Sequence, residues 1–164
     1  MTKELYEKIS EPFKKTPRAL RVIEKGNKIL TAVTYIAYIG LLLWEVSRRD
    51  ENFWRVFLIP AIAFAAVTCF RKVYNAKRPY EVLDIHPLLK RRKKGQSFPS
   101  RHAFSIFMIA MAVGTVWSLA GILFLALGVL LAAVRVIGGV HFPRDVIAGA
   151  AVGIATGIFG FYVF

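Results

Sequence analysis

Residues 103–140 read AFSIFMIAMAVGTVWSLAGILFLALGVLLAAVRVIGGV, 38 positions that carry one formal charge, Arg135. At a rise of ~1.5 Å per residue, one helix of that length would be nearly twice as long as a ~30 Å hydrocarbon core requires. The stretch therefore predicts two membrane-spanning helices in a hairpin turning near Ser118–Gly121. It points to an all-α, polytopic membrane helical bundle.

The flanks extend this reading. Toward the C terminus, Arg144 and Asp145 interrupt the apolar run, and 146–164 then gives 19 uncharged residues. Gly149, Gly153 and Gly157 stand four apart in that span, which makes one smooth helix face suited to close packing. Toward the N terminus, 71–102 is strongly basic and contains Pro79 and Pro87, so it reads as a loop. Val56–Phe70 forms another span, with Phe53 and Trp54 as interfacial aromatics and Pro60 as a kink. Ile29–Trp44 is uncharged for 16 residues and forms the first span. About five spans result, and nothing reads as a strand. Residues 1–28 mix charges of both signs with Leu5, Ile9, Phe13, Leu20 and Ile23 and are broken at Pro12 and Pro17. They predict one or two short amphipathic helices on the membrane surface, an N-terminal interfacial segment ahead of a transmembrane domain over 29–164. No signal peptide is expected, because no compact apolar region precedes a small-residue cleavage site.

Composition narrows the partners. The chain is 56% hydrophobic, with a mean hydropathy of +0.50, and its 23 Lys and Arg against 10 Asp and Glu give a net charge of +13. Those charges flank apolar blocks, and no nucleic-acid module is visible, so the expected partners are the bilayer and a phosphorylated lipid, with no nucleic acid. Cys69 is the single cysteine, which rules out a disulfide framework or a cysteine-rich metal site within one chain; it reads as a small core residue.

Two crossings separate the 71–102 segment from the turn at 135–145, so both lie on one side of the membrane. Three basic stretches can meet there: RKVYNAKRP at 71–79, QSFPSRH at 96–102 and RVIGGVHFPRD at 135–145. Any one of them alone is better read as a lipid-anchoring flank. Together they suggest a phosphate site. Pro143 is placed to open the last helix, which would bring His141 and Asp145 within one turn. A carboxylate beside an imidazole fixes its tautomer and leaves the other ring nitrogen as a nucleophile. His102, at another helix start, could protonate a leaving oxygen. Arg71, Lys72, Arg78, Arg101 and Arg135 supply fixed cations able to neutralise phosphoryl oxygens, so neither metal nor cofactor is required. Arg135 stands out as an ionisable residue inside an apolar span.

The order and spacing of these stretches resemble the membrane branch of the type 2 phosphatidic acid phosphatases. That family's signature is K-x6-R-P, then P-S-G-H, then S-R-x5-H-x3-D. Here it reads Arg71-x6-Arg78-Pro79, Pro99-Ser100-Arg101-His102 and Val134-Arg135-x5-His141-x3-Asp145. The resemblance implies an integral membrane lipid phosphatase in which His141 forms a phosphohistidine, Asp145 orients it and His102 is the general acid. Arg71, Arg78, Ser100 and Arg135 would hold phosphoryl oxygens. The departures are Arg71 for lysine, Arg101 for glycine and Val134 for serine; Arg101 adds a further phosphate-binding candidate. Lys and Arg counts favour a cytoplasmic site, whereas the resemblance implies an extracytoplasmic one, which we adopt. Relatives of this size act on undecaprenyl diphosphate or phosphatidylglycerophosphate. Arg101 and the Arg91–Lys94 cluster add charge for a second phosphate and favour undecaprenyl diphosphate.

Overall fold

The structure is a computed structural model and describes residues 1–49, 51–90 and 94–163. Its helices are α1 (Lys3–Lys14), α2 (Pro17–Arg48), α3 (Phe53–Tyr74), α4 (Pro79–Val82), α5 (Arg101–Val116), α6 (Ser118–Ile137) and α7 (Pro143–Ile158), followed by a π-helical turn, Phe159–Val163. Among the described residues there is no strand.

Local chemistry sets the helix ends. Thr16 caps α2 by accepting from the Ala19 N–H at 3.2 Å, and Pro17 follows in the first turn, where a missing N–H costs nothing. Arg49 and Asn75 close α2 and α3 in left-handed conformations, with φ of 53° and 43°. The expected break at Pro12 does not occur. Proline there removes a single bond in the last turns of α1, and the helix continues to Lys14. Nor is 17–28 a separate surface helix, since it forms the start of α2 and runs unbroken into the first span.

Among the described residues, four helical segments are long and apolar enough to cross a membrane: Pro17–Arg48, Phe53–Val82, Ser118–Ile137 and Pro143–Val163. α5 is a shorter apolar helix, about 24 Å in length, because the hairpin turns at Trp117, one residue before the expected interval. It is also the central one. Ten of its side chains, from Ala103 to Val113, are buried against α2, α3, α6 and α7. The surrounding helices turn large apolar residues outward instead, among them Ile36, Leu43, Ile62, Leu119, Val129 and Ile147. An apolar exterior over a packed core is what lipid solvation requires, and the protein is a multi-pass membrane protein. Cys69 belongs to that exterior, correcting the core assignment. α3 buries Val56, Pro60, Val67 and Arg71 on one face, and position 69 falls on the opposite one.

The Gly149, Gly153 and Gly157 face decides how the site is assembled. A Cβ at Gly149 would lie 2.5 Å from the Ser100 carbonyl oxygen, and one at Gly153 2.7 Å from that of Phe104. α7 therefore packs backbone to backbone on α5, with its first turn beside the start of α5. We expect Gly153→Leu to destabilise the bundle by about 1–3 kcal/mol through overpacking. Gly26→Ala, where a Cβ meets open space, is expected to be neutral or stabilising by up to about 1 kcal/mol. Thermal unfolding in detergent checks the pair, and equal midpoints would contradict the close approach.

Candidate active site

Asp145 lies at the junction of α5, α7 and the 96–100 loop. Pro143 starts α7, which makes Asp145 its third residue, and the carboxylate turns back to accept from the Phe142 N–H at 3.0 Å. A carboxylate suits a helix N-terminus, where N–H groups lack partners and the dipole is positive. The same Oδ2 accepts from the Ser97 hydroxyl at 2.5 Å and lies 3.6 Å from His141 Nδ1. Ser97 Oγ is 3.4 Å from that ring nitrogen. The Asp145 backbone carbonyl accepts from the Ser100 N–H at 2.8 Å, so one residue ties the start of α7 to the 96–100 loop.

His141 is 1% exposed. Burial holds its imidazole well below the ordinary histidine range; the Asp145 carboxylate opposes the shift, and Arg135 and Arg78 add to it. The ring is thus neutral in the folded protein. With Nδ1 turned to Asp145 and Ser97, Nε2 is the nitrogen left for chemistry.

Beside this buried set is a cavity of about 580 Å³, lined on one side by Arg78, Arg101, His102, Arg135 and Val140. His141, Asp145, Ser97 and Ser100 lie outside its lining. Arg78 is held by the Gly95 carbonyl at 2.9 Å and the Val140 carbonyl at 3.2 Å. Its own N–H and that of Gly95 both donate to Glu81 Oε2 at 2.8 Å, which pins the two ends of the loop. Arg101 stacks on Phe64 of α3, 5.6 Å from the ring centroid, and still reaches the cavity. The Ser100 hydroxyl is buried and makes no hydrogen bond among the described residues.

Arg71 is placed differently. It is buried in the last turn of α3 and donates to the carbonyls of Gln96, Ser97 and Pro99. The cation that motif spacing sets near the phosphate therefore holds up the loop carrying Ser97 and Ser100, and it does not line the cavity. The expected loop at 71–102 is accordingly helical at both ends, with Arg71 in α3 and Arg101 and His102 in α5. Of the Arg91–Lys94 cluster, residues 91–93 lie outside the described residues. Motif reasoning passed over Ser97, although it belongs to the quoted stretch. It also missed α2, whose Glu24, Asn27, Lys28, Thr31 and Ala32 form the opposite cavity wall. The 3–4 spacing of Glu24, Asn27, Lys28 and Thr31 is the signal that could have found them.

Comparison with known proteins agrees with this architecture. A profile of the PAP2 superfamily matches residues 52–164. "Bacitracin transport permease protein BcrC" of Bacillus licheniformis is 29% identical over 133 residues, 78% of this chain and 64% of that protein. "Putative undecaprenyl-diphosphatase YbjG" of Escherichia coli (strain K12) is 28% identical over 131 residues, with the same two shares. The chain thus spans 64% of the length of each of these two relatives. Among solved structures, Aquifex aeolicus LpxE superposes with a TM-score of 0.71 at 25% identity, covering 96% of this chain and 92% of that one. A PAP2-type phosphatidylglycerolphosphate phosphatase from Bacillus subtilis gives 0.65 at 21% identity, covering 96% and 83%, a likeness of fold. With the profile running from just before α3 to the end of the chain, across every motif of the site, the protein belongs to the PAP2 superfamily.

Proposed function

We propose that this protein is a metal-independent lipid phosphatase working through a phosphohistidine, with undecaprenyl diphosphate as its substrate. The observation that carries the reading is a neutral, buried His141 backed by Asp145 and Ser97 and placed beside a cavity lined by His102, Arg78 and Arg135.

In the first step His141 Nε2 attacks phosphorus and the bond from phosphorus to the leaving oxygen breaks. With the anionic phosphoryl group bound beside it, His102 is held protonated and delivers that proton to the leaving oxygen, and the lipid leaves as undecaprenyl phosphate. Asp145 stabilises the positive charge that develops on the imidazole ring. In the second step water attacks the phosphohistidine, His102 takes its proton, and inorganic phosphate and free His141 are regenerated. Arg78, Arg135 and the orphaned Ser100 hydroxyl are the groups for the phosphoryl oxygens, whose charge peaks in the transition state. An entering phosphoryl group would compete for the hydrogen bond that Arg78 donates to the Val140 carbonyl. Arg71 contributes by supporting the loop, and Ser97 by orienting Asp145. Following the family resemblance, we place the site at the extracytoplasmic face.

Support for a diphosphate comes from the cavity cation Arg101 and from the printed name of the Escherichia coli relative. The Bacillus licheniformis relative is named as a transport protein, which favours a second reading, a pocket that binds lipid phosphate without turnover. Such a pocket would need the arginines but not His141, Asp145 and His102.

Four outcomes are expected. Purified protein releases phosphate from lipid phosphates in excess chelator; strict dependence on added magnesium would refute the mechanism. His141→Ala abolishes turnover but keeps lipid phosphate binding, and a wild type inert across undecaprenyl diphosphate, phosphatidylglycerophosphate and phosphatidic acid would leave the binding reading. In side-by-side kcat/KM measurements the diphosphate is preferred, and Arg101→Gly narrows that preference. Ser97→Ala lowers kcat by roughly tenfold or more with a smaller change in KM, the expected loss for a displaced catalytic group. A stability test follows from His141. Its folded pKa is depressed, so the unfolded chain binds a proton that the native one does not as pH falls below ~6.5. Native stability contributed by the neutral ring is complete above that value and declines toward acid. His141→Asn should flatten the fall in unfolding midpoint between pH 7 and pH 5, and an unaltered slope would contradict the assignment.

A further inference from the structure

The wall of the cavity facing the catalytic residues is built by α2, outside the segment that matches the family profile. Glu24, Asn27, Lys28 and Thr31 follow one another at i, i+3, i+4 and i+7, a single polar stripe on a helix whose Ile23 and Leu30 are buried in the core. This stripe is built into the site, since the Asn27 side-chain oxygen accepts from Arg135 Nη1 at 3.1 Å and the Thr31 hydroxyl donates to the Asn27 carbonyl at 2.7 Å. Lys90, from the loop after α4, lines the same cavity.

The charges there exceed what one phosphoryl group needs. Arg78 and Arg135 together match a dianionic phosphate. Lys28, Lys90 and Arg101 remain, set against Glu24, which leaves an excess of two positive charges among the described residues of the cavity lining. We propose that Lys28 and Lys90, with Arg101, form a subsite for the second phosphate of a diphosphate-headed lipid and are specificity-determining residues. A volume of about 580 Å³ accommodates both phosphates and the start of a tail. Lysine suits this place, being a flexible point charge that meets a phosphate at the open side of a cavity, whereas the buried Arg135 is fixed by Asn27. The inference rests on the phosphatase reading above.

Farnesyl diphosphate and farnesyl phosphate share a tail and differ by the second phosphate, so their kcat/KM ratio reads the subsite. Wild type should favour the diphosphate. Lys28→Gln and Lys90→Gln should each lower the ratio by about tenfold, chiefly through KM, as expected for loss of one charge-assisted hydrogen bond. Lys25→Gln, on α2 but outside the cavity lining, should retain the wild-type ratio. Inhibition by free pyrophosphate relative to phosphate gives a readout independent of turnover, and its preference should fall in the same two variants. A wild type that favours the monophosphate would refute the diphosphate reading, and this subsite with it. A wild type that favours the diphosphate, with both ratios within about twofold of wild type in Lys28→Gln and Lys90→Gln, would overturn the subsite alone. A loss of both substrates in proportion would likewise overturn it.

Discussion

The contact of α7 with α5 at Gly149 is the constraint from which the site follows. Only a residue without a side chain lets the first turn of α7 come so near the Ser100 carbonyl. That approach allows the Asp145 carbonyl to meet the Ser100 N–H, and the Asp145 carboxylate to meet Ser97. An ionised carboxylate with no exposed surface is costly unless it is hydrogen-bonded. Phe142 N–H, Ser97 and His141 surround Oδ2, while Arg144 Nε lies 3.7 Å from Oδ1. The set that orients the imidazole is thus also the set that makes the buried charge tolerable.

The cations divide according to what their surroundings demand. Arg71 sits beneath the loop among backbone carbonyls, each of which would be left without a partner in an apolar interior. Its planar fork can serve several of them at once, which a lysine ammonium on a flexible stem does less well. Arginine at this motif position therefore suits a supporting role. Arg78 combines both duties, held by two carbonyls while lining the cavity. Concentrating like charges in a membrane protein is unfavourable in itself. An anion entering the cavity would relieve that repulsion, which is consistent with the proposed phosphate site.

In the proposed reaction, chemistry and recognition would come from different parts of the chain. The segment matched by the family profile carries His102, His141, Asp145 and the arginines around them. α2 precedes it and closes the cavity with a polar stripe joined to the rest through Asn27 and Arg135. Under that proposal, substitutions along this stripe would retune the side of the cavity away from His141 without touching it.

Periodicity, charge blocks and motif spacing determined much of this from the sequence alone. A 38-residue apolar run could be only a helical hairpin, and two crossings had to bring the three basic segments to one face. The start of α7 at Pro143 was also legible, because proline at a first helical position and aspartate in the first turn are local signals. Other features depended on packing between distant elements. Cys69 lies on the outside because lipid makes an exterior position as apolar as a core one, and composition cannot tell the two apart. Residues 17–28 join the first span, since a charged, amphipathic turn is compatible with either an interfacial helix or one wall of a polar cavity. The loop-holding role of Arg71, the Ser97 contact with Asp145 and the α2 wall all join residues at least 25 positions apart. Sequence spacing describes neighbours within one helix, whereas these partnerships are decided by which helices pack together and how closely their backbones approach.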